Sequence, residues 1–231
     1  MMIKKANPFA DLNRLERALW MTSLAAIAGS TLLSGGKDLL STAAALIGVT
    51  ALIFVAKGYV IGQILTVVFA VFYGVISFYF RYYGEMITYL GMTAPSAICT
   101  AVAWMRHPYA GTREVEVNRL SKAQKAIVLL GAAVTTAVFY FILKKLGNAS
   151  LLWSTVSVTT SFLASGLTFF RSPCYALAYA ANDVILILLW IAAATHDPSC
   201  LPMVICFAMF LLNDLYGFFN WRRMAERQSE K

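Results

Sequence analysis

The chain is 231 residues long, 60% hydrophobic and only 13% charged, with a formal net charge of +8 and a mean hydropathy of +0.69. A soluble domain carries about a quarter charged residues. The composition therefore excludes a water-soluble fold, and apolar runs of roughly 20 residues select membrane-spanning helices over the shorter, alternating strands of a barrel.

Residues 1–17 are polar and mixed in charge, with Leu12, Leu15 and Leu19 at helical spacing. They predict an interfacial helix leading into a first span at Ala18–Leu33. No cleavable signal peptide is expected. Further spans are predicted at Leu39–Ala56, Val60–Phe80, Glu85–Met105, Ala126–Leu143, Ser150–Phe170, Pro173–Ala194 and Cys200–Trp221. Between the fourth and fifth lies the one long polar segment, Arg106–Lys125, which reads as too charged to be buried; the tail from Arg222 reads as basic and solvated. The basic residues cluster at span ends, where they set topology, and this speaks against nucleic acid as a partner. With the N-terminus inside, only Lys37, Arg81, Lys144 and Lys145 of the 19 Lys and Arg fall outside. Both termini are therefore expected to be cytoplasmic.

Sliding the second half of the chain by 117 residues sets Trp221 on Trp104, Met203 on Met86, Pro202 on Glu85 and Trp190 on Tyr73. Spans two to four and six to eight then form two triplets, which run parallel only if a single helix lies between them. The expected fold is an all-α integral membrane bundle of 3+1+3 helices with parallel three-helix repeats, SWEET-like, plus an extra N-terminal helix. The expected division is 1–36 for that helix, 37–105 for the first repeat, 106–148 for a cytoplasmic loop and linker helix, 149–221 for the second repeat and 222–231 for a cytoplasmic tail.

Polar residues inside apolar spans are costly and are candidates for function. In the seventh span Tyr175, Tyr179 and Asn182 share one helical face, with Asp183 beside them and Trp190 continuing the stripe. In the eighth, Asn213, Tyr216 and Asn220 repeat the pattern. Facing stripes of amide and phenol would form a polar slot with aromatic walls, suited to a planar heterocycle or a sugar; the alternative is that the amides only bond neighbouring helices. Gln63, Thr66, Ala70 and Tyr73 form a counterpart in the third span; Thr93, Ser96 and Thr100 do so in the fourth, and Trp153, Ser157, Thr160 and Ala164 in the sixth. Asp183, Asp214 and Glu85 could couple transport to protons, or could bond backbone or the nearby Arg222 and Arg81. Lys57 and Arg171 stand at matching inner turns and read as topology anchors, or as attractors of an anionic phosphate. His107 and His196 read as loop residues. The four cysteines, Cys99, Cys174, Cys200 and Cys206, have no metal-like spacing, so no metal site and no cofactor are expected. Neither a phosphate loop nor a nucleophile–base set is visible, so enzyme activity is not expected.

Three segments, RSPCYALAYAANDVILILLW, LPMVICFAMFLLNDLYGFFNW and KGYVIGQILTVVFAVFYGVISFYFRYYGEMITYLGMTAPSA, resemble the PnuC family of vitamin transporters, and the likeness runs from Leu39 to Met224. The resemblance implies import of nicotinamide riboside, with nicotinamide mononucleotide as a further candidate, across the bacterial inner membrane by a homotrimer in the lipid bilayer. It implies facilitated diffusion, with a cytoplasmic nicotinamide riboside kinase trapping the vitamin. Asn182, Asn213 and Gln63 match the family's substrate amides, and Tyr175 and Tyr179 stand where other members carry Trp. Sister families of the same frame carry thiamine or riboflavin. A non-transporting subunit docking a partner through Arg106–Lys125 is the reading from another class.

Overall fold

The computed structural model describes residues 7–33, 39–148 and 150–230. Residues 1–6 of the expected interfacial helix lie outside the described residues, as do Lys4, Lys5, Lys37 and Lys231 of the charge count. Eight long helices carry the described chain: α1 (Arg14–Leu33), α2 (Leu39–Ala56), α3 (Val60–Tyr79), α4 (Tyr83–Arg106), α5 (Lys122–Lys145), α6 (Leu151–Phe169), α7 (Tyr175–Ala194) and α8 (Leu201–Ser229). Six of them, all but α1 and α6, are long and apolar enough to cross a membrane. In α6 the reason is its run of hydroxyls, which bond carbonyls one turn back: Thr155 to Leu151, Thr159 to Thr155, Thr168 to Ala164. The helix is polar in composition but internally satisfied. In α1 the cause is Glu16 and two arginines in the first turn, with Ser23, Ser30 and Thr31 buried further along.

No separate interfacial helix precedes α1 among the described residues. A short 3-10 turn, Pro8–Asp11, leads into α1, which opens with a reciprocal cap. Glu16 N donates to Asn13 Oδ1 at 2.8 Å, and Asn13 N donates to Glu16 Oε2 at 2.7 Å. Of the expected leucine stripe, Leu12 is buried against Phe54 and Tyr59 while Leu15 is exposed. Tyr59 donates to Asp11 Oδ2 at 3.3 Å. Burial, then Asp11, push its phenol up to about 12, so it stays protonated as a donor.

α4 is interrupted by a π turn at Tyr89–Thr93. Pro95 has no N–H to give the carbonyl of Gly91, and its ring crowds that carbonyl; a widened turn relieves both.

Helices α2, α3, α4, α6, α7 and α8 pack in that order, and α8 closes the ring on α2. α1 lies outside against α2 and α8. α5 packs on α6 and buries only Val128, Ala132 and Leu143. Three side-chain hydrogen bonds join helices of the ring. Trp104 Nε1 donates to Thr168 O at 3.2 Å, and Trp221 Nε1 donates to Val55 O at 3.0 Å. The two indoles lie 5.4 Å apart. Trp190 Nε1 donates to Tyr73 Oη at 2.8 Å, across 117 residues of sequence.

α8 does not stop at Trp221 but runs on to Ser229, so the tail is helical and docked through Met224 and Gln228, while Arg222, Arg223 and Arg227 stay solvent-exposed as expected. Gln228 accepts from Val117 N at 2.7 Å and donates to Val115 O at 3.2 Å, and Arg227 pairs with Glu114. The polar 106–125 segment is correspondingly anchored in part, with Val115 only 1% exposed. It holds the end of α8 of its own chain and forms no docking helix before α5. Lys57 and Arg171 are not equivalents: Gly58 (φ 68) and Arg171 (φ 58) take matching left-handed positions after α2 and α6, each closed by the same pair of backbone bonds.

Candidate functional site

Inside the ring is a cavity of about 50 Å³. α2 brings Gly48, Ala51, Leu52 and Val55 to its wall; α3 brings Gln63, Thr66 and Phe69; the π turn of α4 brings Tyr89 and Thr93. α7 contributes Tyr179, Asn182 and Asp183, and α8 contributes Phe210 and Asp214. Both wall residues of α4, Tyr89 and Thr93, belong to its π turn.

Asn182 is 1% exposed and tightly oriented. Its Oδ1 accepts from Ser157 Oγ at 3.1 Å, Thr160 Oγ1 at 2.9 Å and Ser161 Oγ at 3.1 Å, all on α6. With the carbonyl end saturated, the amide offers its Nδ2 donors to the cavity. The hydroxyl-rich face of α6 thus has a purpose: it holds one amide in one orientation. Behind it, Glu85 is fully buried with Oε2 3.3 Å from Ser157 Oγ, whose one proton serves either this carboxyl or Asn182, and Glu85 forms no ion pair with Arg81. Asp183 and Asp214 lie against one another on α7 and α8, and Asp214 forms no ion pair with Arg222.

Of the stripe in the seventh span, the structure brings Tyr179, Asn182 and Asp183 to the cavity and joins them with Gln63. Tyr175 sits below, 5.0 Å from the Trp221 ring, and Trp190 sits above with Tyr73. These three rings cap the cavity and do not line it. The stripe in the eighth span faces elsewhere. Asn213 Nδ2 donates to Met209 O at 2.7 Å and Ser23 Oγ at 3.3 Å; Tyr216 donates to Glu16 Oε1 at 2.9 Å; Asn220 Nδ2 donates to Ala56 O at 2.8 Å. The physical reason is that α1 packs on this face and supplies partners, while the C-terminus of α2 needs a donor for its free carbonyls. A helix turns about 100° per residue, so the neighbour of Asn213, Asp214, is the one that faces the cavity. Tyr89, Phe69 and Phe210 were not legible as site residues, since nothing local distinguishes them from core.

The sequence model of the nicotinamide mononucleotide transporter family matches residues 38–223. The nicotinamide riboside transporter PnuC of Neisseria mucosa is 26% identical over 217 residues, covering 92% of this chain and 82% of that protein. The nicotinamide riboside transporter PnuC of Haemophilus influenzae is 23% identical over 183 residues, covering 78% of this chain and 77% of that one. The fold is similar to the crystal structure of the vitamin B3 transporter PnuC, with a TM-score of 0.82, 25% identity and 94% of each chain covered. The family match reaches from the start of α2 past the Trp221 turn of α8 and so takes in every helix of the ring: this chain belongs to the nicotinamide mononucleotide transporter family.

Proposed function

We propose that this protein is a facilitator that carries nicotinamide riboside into the cell through the ring of six helices, binding it at Asn182, Gln63 and Tyr179. The observation that carries the reading is the buried cavity with an amide whose donors are aimed into it, in a chain whose curated relatives are nicotinamide riboside transporters. A carboxamide or ribose oxygen accepts from Asn182, and the ring stacks on Tyr179 or Tyr89. The riboside is favoured over nicotinamide mononucleotide. Among the described residues the wall has no Lys or Arg to meet a phosphate, and its acidic side chains are the hydrogen-bonded pair Asp183–Asp214.

The proposed architecture is two parallel triplets, residues 37–105 and 149–221, about a linker helix. The reciprocal bonds of Trp104 and Trp221 support it, because each reaches from the third helix of one triplet to the first helix of the other. The proposal includes cytoplasmic termini and an inner-membrane homotrimer. It also includes a cytoplasmic kinase that traps the vitamin as its phosphate. These elements rest on the family resemblance and on the distribution of Lys and Arg.

Uptake of labelled nicotinamide riboside into liposomes holding purified protein and no kinase tests the function. The riboside should equilibrate without concentrating. No protein-dependent uptake would end the reading. Accumulation collapsed by an uncoupler would replace facilitated diffusion by coupling through the buried carboxyls.

A further inference from the structure

Asp183 and Asp214 lie side by side at the cavity wall, each only 3% exposed. Oδ2 of Asp183 has no hydrogen-bond partner. The ion pairs among the described residues, Lys57–Glu16, Arg113–Asp11 and Arg227–Glu114, involve neither carboxyl. The rest of the described wall is neutral: Gln63, Asn182, two Thr, two Tyr and apolar side chains. The two carboxyls are hydrogen-bonded to one another, so they share a proton. Burying the remaining negative charge with no base beside it, and leaving Asp183 Oδ2 unpartnered, are both unfavourable. A cation in the cavity would relieve both, at a distance and in a medium where one unit charge counts heavily.

Nicotinamide riboside supplies that charge. Its pyridine nitrogen is bonded to ribose, so the ring is permanently cationic at any pH. We infer that the Asp183–Asp214 pair is the counter-charge for the pyridinium ring and makes the transporter select cationic over neutral ring systems. The aromatic rings of the wall act in the same direction, because their faces attract cations. This inference rests on the transport reading above and adds the property that the site recognises. A neutral flavin is rejected on charge. The thiazolium of thiamine is not, so discrimination against it falls to shape. A ring carrying its own carboxylate is disfavoured by the like charge.

The test uses purified full-length protein in nanodiscs and two ligands of nearly the same outline, nicotinamide riboside and its neutral 1,4-dihydro form. Calorimetric titration should show wild type binding the cation about tenfold or more tightly than the neutral form. Asp214→Asn and Asp183→Asn should move that ratio towards one. Asn182→Ala should weaken both ligands by a similar factor and leave the ratio in place. A wild-type ratio near one, or a ratio unchanged in both Asp variants, overturns the inference while leaving the transport reading standing. Wild type that binds neither riboside overturns the transport reading and the inference together. The wild-type ratio needs no variant, so it discriminates even where an Asn substitution misfolds.

Discussion

Asn182 and Asn220 are both amides inside apolar helices, yet their hydrogen bonds assign them different work. Asn182 is gripped by three hydroxyls through its oxygen and presents its nitrogen to the cavity. Asn220 spends a donor on Ala56 O, one of the carbonyls left free at the end of α2. Asn182→Ala should therefore weaken riboside binding by roughly 10- to 100-fold, through the loss of a buried hydrogen bond to ligand and of the acceptor of Ser161, while Thr160 and Ser157 fall back on Val156 O and Glu85. Asn220→Ala should leave the Kd within about twofold and lower stability by about 1 kcal/mol. Titration and thermal melting of the two variants separate these outcomes. From the sequence the two look alike, since both are an amide near a Tyr on a hydrophobic stripe. What distinguishes them is which helix packs against each face, and α1 and the end of α2 are far away along the chain.

At the scale of helices, hydropathy places α2 and α3 almost to the residue, because their ends coincide with Lys57–Gly58 and Arg81, where the backbone turns left-handed. It stops α8 too early. The apolar run ends at Trp221, but the helix continues because Gln228 and Arg227 grip residues 114–117, a tertiary contact with no local signature. Close packing between elements is likewise readable only in coordinates. A Cβ on Gly48 would lie 2.3 Å from Phe210 Cζ and 3.0 Å from Phe69 Cδ2, both rings of the cavity wall, whereas one on Gly29 meets nothing within 4 Å. Gly48→Ala should push Phe210 aside and reduce riboside transport at least several-fold. Gly29→Ala should leave transport unchanged and stabilise α1 by up to about 1 kcal/mol. α1 itself is tied in by Glu16, which is 1% exposed and takes bonds from Lys57 at 2.9 Å and Tyr216 at 2.9 Å. Glu16→Gln leaves Lys57 an amide oxygen but no counter-charge and should cost about 2–3 kcal/mol. The double variant with Lys57→Gln should cost less than the sum of the two, by thermal melting.

At the scale of the whole molecule the ring is closed. A cavity of about 50 Å³ has room for about one or two waters, and sites for small molecules typically start near 300 Å³. Along α7 the cavity residues lie between Tyr175 and Trp190, and each of these belongs to an aromatic layer. At one end Trp104, Trp221 and Tyr175 pack together; at the other Tyr73, Trp190, Phe207 and Tyr82 do so. The 117-residue offset in the sequence pairs Trp104 with Trp221 and Tyr73 with Trp190. It does not show that the members of each pair touch, because that depends on how one half of the ring is turned against the other. If the proposed facilitator works by exposing the cavity to one side at a time, one layer must part while the other stays shut. Trp221→Phe keeps a ring in place but removes the N–H that holds Val55 O, and Trp190→Phe removes the one that holds Tyr73. A Thr66→Cys reporter at the cavity wall, in a background lacking the native cysteines, reads the result with a membrane-impermeant thiol reagent. Trp221→Phe should speed labelling about tenfold from the face bearing residues 107–121, a shift of about 1.4 kcal/mol in the closed-to-open balance. Trp190→Phe should speed it from the opposite face. Acceleration from the same face in both variants would mean that the layers are structural rings of one rigid core and that the riboside enters by another route.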